Sequence, residues 1–597
     1  MNNRKISHFL KPATATLMPI SIVALLTFRA IPARANPAEQ VYLAQTSQLP
    51  PDTNLDDLPN SPLPDSQRDR QITPLPPIED FLERTPNQLP DSESRESNIE
   101  FEVKEFILED NTVLKPAAVE AIVKDYRDRP ITFADLLELE TKLNNLYRDN
   151  GYINSGVVIP EQNISEGKIT ITAVEGKIEN INVRVNGRLK ESYVRSRLRR
   201  GAKTPLNINE LSEALQLLQL NPLIDSLNAE LSVGLSRDRW MLDVDVNQGK
   251  AFDPVLFVNN YRTPSVGSFQ RGLELNHNNV LGYADRFSFV YKNTDGSNDF
   301  DGSYSIPVNA MDGTVGLRYR YVDSEIIEDE FEELDIESET DEIELTFRQP
   351  ILLSANSEST QEFALGLEFS RQTNNTTLQG EPFNLSSGAD ANGDTKISAL
   401  RFFQDWTRRT RSDVLAARSQ LSAGVDIFDA TVNEGEADGK FVAWRGQAQW
   451  LRQLVSESNI NLLIRSDLQL SSDDLVPLER FSLGGVESVR GYRQDALLGD
   501  SGLFASAEVR IPFYRWSEGQ SSVSAIPFID FGTSWSNSDN TNQDEDTVAS
   551  LGVGLQLDLS NTLRARIDYG IPLVEVDDSN NTLQEQGLYL SLEYFPF

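Results

Sequence analysis

Cysteine is absent from this chain of 597 residues, and histidine occurs only as His8 and His277. Without a thiol, the chain has no disulfide bond, no thiol catalysis and no thiolate metal site. Two histidines are too few for a metal centre that is rich in imidazole ligands. The sequence therefore predicts a protein without a metal, without a cofactor and without catalytic residues.

Positive charge is also scarce, with 54 Lys and Arg residues against 91 Asp and Glu residues and a net charge of −37. The phosphates of a nucleic acid require a basic surface, which this composition does not supply. The Gly-x-x-x-x-Gly-Lys loop that cradles nucleotide phosphates is missing as well. We therefore expect neither nucleic acid nor a nucleotide as a partner.

Long apolar runs are limited to residues 13–28. Arg4 and Lys5 precede this run and Ala33-Arg34-Ala35 follows it, which predicts a secretory signal peptide at residues 1–35. Residues 36–97 are rich in proline and polar residues, which predicts an extended linker, on the periplasmic side if the signal peptide is used. Within it, residues 77–83 are interpreted as solvated spacer, and the alternative is a short amphipathic helical turn. The protein is therefore expected to be exported from the cytoplasm.

Two short stretches, residues 98–176 and 177–250, share a predicted order of strand, helix, helix, strand and strand. In the first stretch, Thr132 is positioned to cap a helix and Asp135 occupies the capping-box position. Four arginines within residues 195–200 are predicted to lie on a solvated helix face, and the alternative is a contact with lipid headgroups or an acidic partner. Each stretch is too small to bury a large core, so the pair is interpreted as a jointed periplasmic arm.

From residue 251 to residue 597 the helix signals disappear, and segments of about ten residues alternate in polarity. Residues 460–470, for example, alternate between an apolar row facing lipid and a polar row facing water. Predicted turns are short on one side, as at residues 410–411, and long on the other, as at residues 374–396. The predicted fold class is therefore mainly β, with an antiparallel transmembrane barrel of about sixteen strands preceded by two small α/β domains.

Acidic residues are concentrated at residues 323–341. A run of like charges is usually solvated. We interpret this run as a solvated extracellular loop of the barrel.

The connection at residues 472–501 is much longer than a turn, and a loop of that length inside a domain is usually functional. It contains Gly484 and Gly485, which allow backbone conformations closed to other residues, and then the segment Val489-Arg490-Gly491-Tyr492. An unpaired guanidinium inside a barrel would be costly, so Arg490 is expected to have a carboxylate partner.

The predicted partner of Arg490 is Asp530, in the segment Phe528-Ile529-Asp530-Phe531-Gly532. Because alternate residues of a strand face opposite sides of the sheet, Asp530 faces the lumen if Ile529 and Phe531 face lipid. The sequence therefore predicts a long loop folded into the barrel, with Arg490 bound to Asp530. The alternative is that both side chains merely line a polar lumen.

Three motifs resemble those of a known family. They are Tyr147 to Pro160, which includes Gly151, Tyr152, Val158, Ile159 and Pro160; Leu483-Gly484-Gly485 with Val489-Arg490-Gly491-Tyr492; and Phe528-x-Asp530-x-Gly532. Together they resemble the outer-membrane transporters of two-partner secretion, of the haemolysin-activator and filamentous-haemagglutinin transporter type, within the Omp85 superfamily. The resemblance covers nearly all of the chain after the signal peptide.

The resemblance implies a fold and a location. Two periplasmic polypeptide-transport-associated (POTRA) domains are expected at residues 98–176 and 177–250, and a barrel at residues 251–597 in an outer membrane of the Gram-negative type. The loop at residues 472–501 is expected to fold into the lumen, with Arg490 and Asp530 as its lock.

The resemblance also implies the partners. One large exoprotein is expected to cross the barrel unfolded, after capture by the first POTRA domain through Gly151, Tyr152, Val158, Ile159 and Pro160. Outer-membrane lipid surrounds the barrel, and the barrel assembly machinery is expected to act on it during biogenesis.

Other functions remain open from the residues themselves. An insertase that folds other barrels usually carries more POTRA domains than residues 98–250 can hold. A passive solute pore would not need the two α/β modules. An outer-membrane enzyme is disfavoured by the lack of histidine and cysteine chemistry.

Overall fold

The computed structural model describes residues 100–596, apart from residues 163, 165–166, 235, 237, 330, 357, 434–436, 457, 518–519, 538–545 and 577–581. The predicted signal peptide and the predicted linker lie outside the described residues, as does Phe597. Within the described part of the chain, no helix combines the length and the apolar character needed to cross a membrane.

The first module packs two helices against a sheet in which β5 is central, with β2 parallel to it on one side and β4 antiparallel on the other. β1 and β3 form a separate pair. The elements are β1 (Phe101–Glu102), β2 (Glu105–Glu109), α1 (Pro116–Val123) with a 3-10 turn (Lys124–Tyr126), β3 (Pro130–Ile131), α2 (Phe133–Asp149), β4 (Gly156–Val158) and β5 (Lys168–Val174).

The predicted start of α2 at Thr132 is confirmed. Thr132 Oγ1 accepts a hydrogen bond from Asp135 N at 3.3 Å, and Asp135 Oδ2 accepts one from Thr132 N at 2.7 Å. The bond from Thr132 N, together with one that Thr132 Oγ1 donates to Asp135 Oδ2 at 2.7 Å, holds the pKa of the Asp135 carboxyl below its usual range. The helix buries a stripe that includes Leu139 and Leu143, whereas Leu137 is 50% exposed because helical periodicity turns it away from that stripe.

The second module has one strand, two helices and two strands, without counterparts of β1 and β3, and its central strand β8 is parallel to β6 and antiparallel to β7. Its core is continuous across both helices and the sheet and includes Leu198, Leu211 and Val244. The elements are β6 (Lys177–Asn186), α3 (Glu191–Gly201), α4 (Ile208–Gln219), β7 (Ile224–Val233) and β8 (Arg239–Gln248).

The arginine cluster of α3 differs from the sequence prediction. Arg197 is only 7% exposed, and its Nε donates to Asp312 Oδ1 at 2.9 Å in a turn of the barrel. Its guanidinium carbon lies 3.4 Å from the centroid of the Tyr193 ring. The prediction of a solvated face is wrong for Arg197, because the barrel supplies a carboxylate that the local sequence does not reveal.

The third part of the chain is a closed antiparallel barrel of sixteen strands, as predicted. β27 pairs with β9 to close the ring. The strands are β9 (Phe252–Asn259), β10 (Gln270–His277), β11 (Arg286–Asn293), β12 (Ser297–Pro307), β13 (Thr314–Glu325), β14 (Ile336–Ala355), β15 (Ser359–Leu378), β17 (Asp394–Thr410), β18 (Asp413–Gly424), β19 (Val442–Val455), β20 (Ile460–Ser471), β23 (Ser501–Trp516), β24 (Ser521–Trp535), β25 (Asp546–Leu559), β26 (Leu563–Pro572) and β27 (Leu588–Tyr594).

Three short strands lie in the long connections of the barrel. They are β16 (Glu381–Pro382), which pairs with the end of β15, and β21 (Phe481–Leu483) and β22 (Leu497–Gly499), which pair with each other. Brief 3-10 turns also occur at Pro264–Val266, Glu332–Leu334 and Pro477–Glu479.

Turn lengths alternate around the ring. The side that contacts the second module has short turns, such as residues 411–412, and the opposite side has long loops, such as residues 379–393. About half of the acidic run at residues 323–341 is strand rather than loop, because β13 and β14 extend into it from both sides and pair Asp323 with Glu339. Only residues 326–335 form the connection there.

Candidate functional site in the barrel lumen

The long connection after β20 folds back as the hairpin β21–β22. Its apolar side chains form a buried cluster with the barrel wall, in which Leu483, Val489 and Tyr492 of the loop pack with Phe504 of β23 and Val548 of β25. The loop is therefore packed against the wall as a folded element.

Arg490 lies at the centre of this contact and is only 1% exposed. Its Nε and Nη2 donate to the two carboxylate oxygens of Asp530 on β24, at 2.7 Å and 2.9 Å. Its Nη1 donates to Glu508 Oε2 on β23 at 3.0 Å and lies 3.6 Å from Asp568 Oδ1 on β26. One guanidinium thus connects the loop to three strands of the wall.

Two further contacts fix the orientation of the guanidinium. Ser506 Oγ donates to Asp530 Oδ1 at 2.6 Å, which holds the carboxylate in place. The guanidinium carbon of Arg490 lies 3.5 Å from the centroid of the Phe528 ring, which is a cation–π geometry. The planar fork of arginine suits this site, since it offers two parallel donors to a carboxylate and a flat face to a ring.

The carboxylates around Arg490 have other cationic partners. Arg510 Nη2 lies 2.8 Å from Glu508 Oε1, and Arg566 Nε lies 2.6 Å from Asp568 Oδ2. Three arginines therefore face three acids, so the buried cluster contains no carboxylate without a cation. Because a buried ion pair offsets its own desolvation only when well hydrogen-bonded, this network is expected to depend on every member.

The residues that flank Arg490 bring the loop close to β26 and β27. Gly491 has φ +103°, and a Cβ on Gly570 of β26 would lie 2.6 Å from Gly491 N. Gly491 N donates to the Tyr589 hydroxyl on β27 at 2.9 Å, and the Tyr492 hydroxyl donates to Ala549 O at 2.8 Å. Only glycine at both 491 and 570 permits this backbone approach.

The remaining motif glycines have distinct positions. Gly484 and Gly485 have φ values of +111° and +88° and form the bend after β21. Gly532 of β24 lies beneath the loop, where an added Cβ would meet the side chains of Leu483 at 2.7 Å and Val489 at 3.0 Å. Phe528 thus contributes its ring, Asp530 its carboxylate and Gly532 a surface without a side chain to the same loop.

The motif of the first module is divided between two environments. Gly151, with φ +87°, lies at the junction of the modules, where its carbonyl accepts a hydrogen bond from Ile208 N at 2.9 Å. Tyr152 packs edge-to-face on Tyr147 in the module's core. Only the second half of the motif lies along the outer strand of the sheet, where Val158 is 45% exposed.

The end of that motif continues from β4. Ile159 packs partly against the core of the first module, and Pro160 is exposed. The structure therefore brings Val158, Ile159 and Pro160 together at a sheet edge and places Gly151 and Tyr152 elsewhere.

Sequence reasoning did not assign Glu508, Asp568 and Tyr589 to this site. The period of 2 predicts an inward direction for Asp568 and Tyr589, and the same period could have predicted it for Glu508. The convergence of all three on Arg490 could not have been predicted, because it depends on the barrel register. Within the described residues, no group of three or more His, Asp or Glu side chains is arranged to hold a metal ion.

These features define a class of protein. A closed barrel with short turns on one side and long loops on the other, carrying small α/β modules at its short-turn side, is the architecture of an outer-membrane transporter with periplasmic modules.

Comparisons with known proteins agree. The model of the haemolysin secretion/activation protein ShlB/FhaC/HecB family matches residues 241–557, and that of the ShlB-type POTRA domain matches residues 101–176. The heme/hemopexin transporter protein HuxB of Haemophilus influenzae is 21% identical over 488 residues, which cover 79% of this chain and 82% of that protein. The outer membrane transporter CdiB of Dickeya dadantii is 22% identical over 490 residues, covering 79% and 83%.

A solved structure of CdiB from Escherichia coli has the same fold, with a TM-score of 0.66 at 19% identity, covering 94% of this chain and 99% of that one. The chain belongs to the haemolysin secretion/activation protein ShlB/FhaC/HecB family. It is an outer-membrane transporter of two-partner secretion, with its POTRA region in the periplasm.

Proposed function

We propose that this transporter carries one large secreted partner protein through its barrel in an unfolded state, after the POTRA region has captured the partner in the periplasm. The observation that carries the proposal is the loop bound inside the lumen by Arg490. The four hydrogen bonds of the guanidinium are all to side chains of the wall. The loop can therefore be released while the main-chain ladders of the barrel stay intact.

Capture is assigned to the outer edge of β4 in the first module. β4 pairs with β5 on one side, which leaves its other edge facing away from the sheet. An extended segment can add to such an edge through main-chain hydrogen bonds, which suits an unfolded client of any sequence. Val158, exposed beside that edge, offers an apolar contact for the client.

The drive is assigned to the partner itself. The sequence contains no phosphate-cradling loop, and folding of the partner outside the cell would prevent its return. We further propose that residues 98–176 and 177–250 act as two POTRA domains, that lipid surrounds the apolar wall, and that the barrel assembly machinery inserts the protein.

The test compares the proteins in the culture medium of three strains: wild type, a strain lacking residues 98–176, and an Arg490→Ala strain. We expect one or a few large proteins to disappear from the medium in both mutant strains, while other outer-membrane barrels stay at wild-type levels. A general fall in barrel proteins would instead indicate an insertase. An unchanged medium with unchanged barrels would indicate a passive pore.

A further inference from the structure

A second arginine of the in-folded loop has contacts of a different kind. Arg493 follows Arg490 by three residues, but its partners lie in the long loops of the extracellular side. Its Nη2 donates to Glu328 Oε1 at 2.8 Å and to Ser265 Oγ at 3.1 Å, and its Nη1 donates to Glu585 Oε1 at 3.3 Å. One side chain thus joins four different connections of the barrel.

Those connections come from distant parts of the ring. Ser265 lies between the first and second strands, Glu328 between the fifth and sixth, and Glu585 between the last two, whereas the loop of Arg493 emerges between the eleventh and twelfth. In a ring of sixteen, the connection of Glu328 and the connection of Arg493 are six strands apart. The contact between Arg493 and Glu328 therefore joins parts of the outer rim that are not neighbours.

The side chains that surround Arg493 form a buried site. Arg493 is 8% exposed, Glu585 is 5% exposed and Ser265 is fully buried. The acids are themselves held: Ser265 Oγ donates to Glu328 Oε2 at 3.2 Å, and Thr582 N donates to Glu585 Oε2 at 2.8 Å. A guanidinium buried between two oriented carboxylates holds its position far better than an exposed surface pair.

The backbone beside Arg493 strengthens the same connection. Gln494 N donates to Gln584 Oε1 at 2.9 Å, and Gln584 Nε2 donates to Arg262 O at 2.7 Å. Ile327 N donates to Ser265 O at 2.9 Å, which joins the loop that contains Glu328 to the loop that contains Ser265. These bonds hold the same loops together beside Arg493.

We propose that Arg493 is a latch that holds the in-folded loop and the extracellular loops of Ser265, Glu328 and Glu585 together across the outer mouth, and that this latch must release before a chain can leave. It is a positioning residue, distinct from the lumen lock at Arg490. The inference rests on the proposed export function in one respect, because export is the reason why the mouth must open.

The test uses purified full-length protein in planar lipid bilayers, so its readout does not require the exported partner. Arg493→Ala is compared with Arg318→Ala, a matched control. Arg318 also binds two carboxylates, Asp301 and Glu344, and has the same 10% side-chain exposure, but all three residues lie on adjacent strands of the wall. We expect a several-fold higher mean conductance for Arg493→Ala than for wild type, and no such rise for Arg318→Ala.

A second pair of variants separates the latch from a folding defect. Because the chain has no cysteine, Glu328→Cys with Arg493→Cys can be joined by a short bis-maleimide cross-linker without background. The uncross-linked pair should conduct like Arg493→Ala, and cross-linking should return conductance to the wild-type level. Heat-modifiable gel mobility shows that each variant forms a folded barrel.

Two results would overturn the latch. The first is equal conductance of folded Arg493→Ala and Arg318→Ala proteins. The second is a raised conductance that cross-linking does not lower. If the export proposal is wrong, the proteins in the culture medium stay unaltered, but the expected conductances do not change. The two proposals therefore fail in different measurements.

Discussion

At the scale of single residues, the lumen site concentrates buried charge around one guanidinium. Replacing Arg490 by alanine removes the cation that faces Asp530 and leaves that acid 1% exposed inside the protein. Breaking a buried pair in this way costs about 3–5 kcal/mol. We expect Arg490→Ala to leave a closed barrel with a loosened loop, measured as faster proteolysis of residues 472–500 in folded protein.

A double-mutant cycle tests whether the cost arises from the unpaired carboxylate. Asp530→Asn removes the charge that Arg490→Ala would leave unpaired, so the double variant should be less destabilised than the sum of the single variants. Arg490→Lys should not restore wild-type behaviour, since an ammonium cannot bind Asp530 through two parallel donors. Additive effects in urea unfolding would contradict this account of the lock.

The close approach of the loop to β26 gives a steric prediction. Gly570→Ala places a Cβ 2.6 Å from Gly491 N and 2.7 Å from Arg490 C, so the loop must move away from the wall. Gly302→Ala is the matched control, because Gly302 is also a barrel-strand glycine and has no neighbouring atom within 4 Å of the added Cβ. We expect increased proteolysis of the loop for Gly570→Ala only.

Equal proteolysis of the two glycine variants would show that the contact between Gly491 and Gly570 does not hold the loop. Neither position has the left-handed φ that would strain an alanine. The comparison therefore isolates the steric effect from the conformational one.

At the scale of elements, the sequence predicted most of the architecture because periodicity is a local property. The capping box at Thr132, the strand Lys168–Val174 and the alternation of β20 and β26 are each specified within a few residues. The ends of β13 and β14 within the acidic run were missed because the run of charge suggested a solvated loop, while cross-strand pairing, which is not local, decided the strand length.

The edge of β4 carries a feature that affects capture. Asn144 of α2 accepts a hydrogen bond from Val157 N through its Oδ1 at 2.6 Å, so the outward N–H of the edge strand is already occupied. A client strand adding to this edge would have to displace Asn144. Asn144→Ala should therefore strengthen binding of an extended client peptide to the full-length protein, since the N–H would be free to bond.

Asn145→Ala is the control for this prediction, because Asn145 is the adjacent, exposed residue of the same helix. Binding is measured by fluorescence anisotropy of a labelled extended peptide from the exported protein. Tighter binding to Asn145→Ala, or no gain for Asn144→Ala, would place capture at a different surface.

At the scale of the whole molecule, the second module is joined to several turns of the barrel. Arg197 binds Asp312, and two further hydrogen bonds join the module to the barrel. Lys190 N donates to Gly282 O at 2.8 Å, and Ala355 N donates to Glu213 Oε1 at 3.1 Å. These contacts link residues up to 142 positions apart, so neither helical nor strand periodicity could have predicted them. Burial in this interface raises the pKa of the Tyr193 hydroxyl.

Arg197 is therefore expected to set the angle between the POTRA region and the barrel. Spin labels on cysteines introduced at Asn228 and Arg411, both exposed, report the distance between the second module and a periplasmic turn. Arg197→Ala should broaden that distance distribution, because the module loses its buried ionic contact with Asp312. Arg184→Ala should not, since its partner Asp245 lies in the same module and the pair is 68% and 51% exposed.

The comparison decides between a fixed and a hinged arm. If the arm is fixed, a captured segment is always presented at the same place beneath the lumen, and Arg197→Ala lowers export while leaving peptide binding unchanged. A distribution that is equally broad in wild type, Arg197→Ala and Arg184→Ala would mean that the arm swings freely, and that positioning must then come from the exported chain itself.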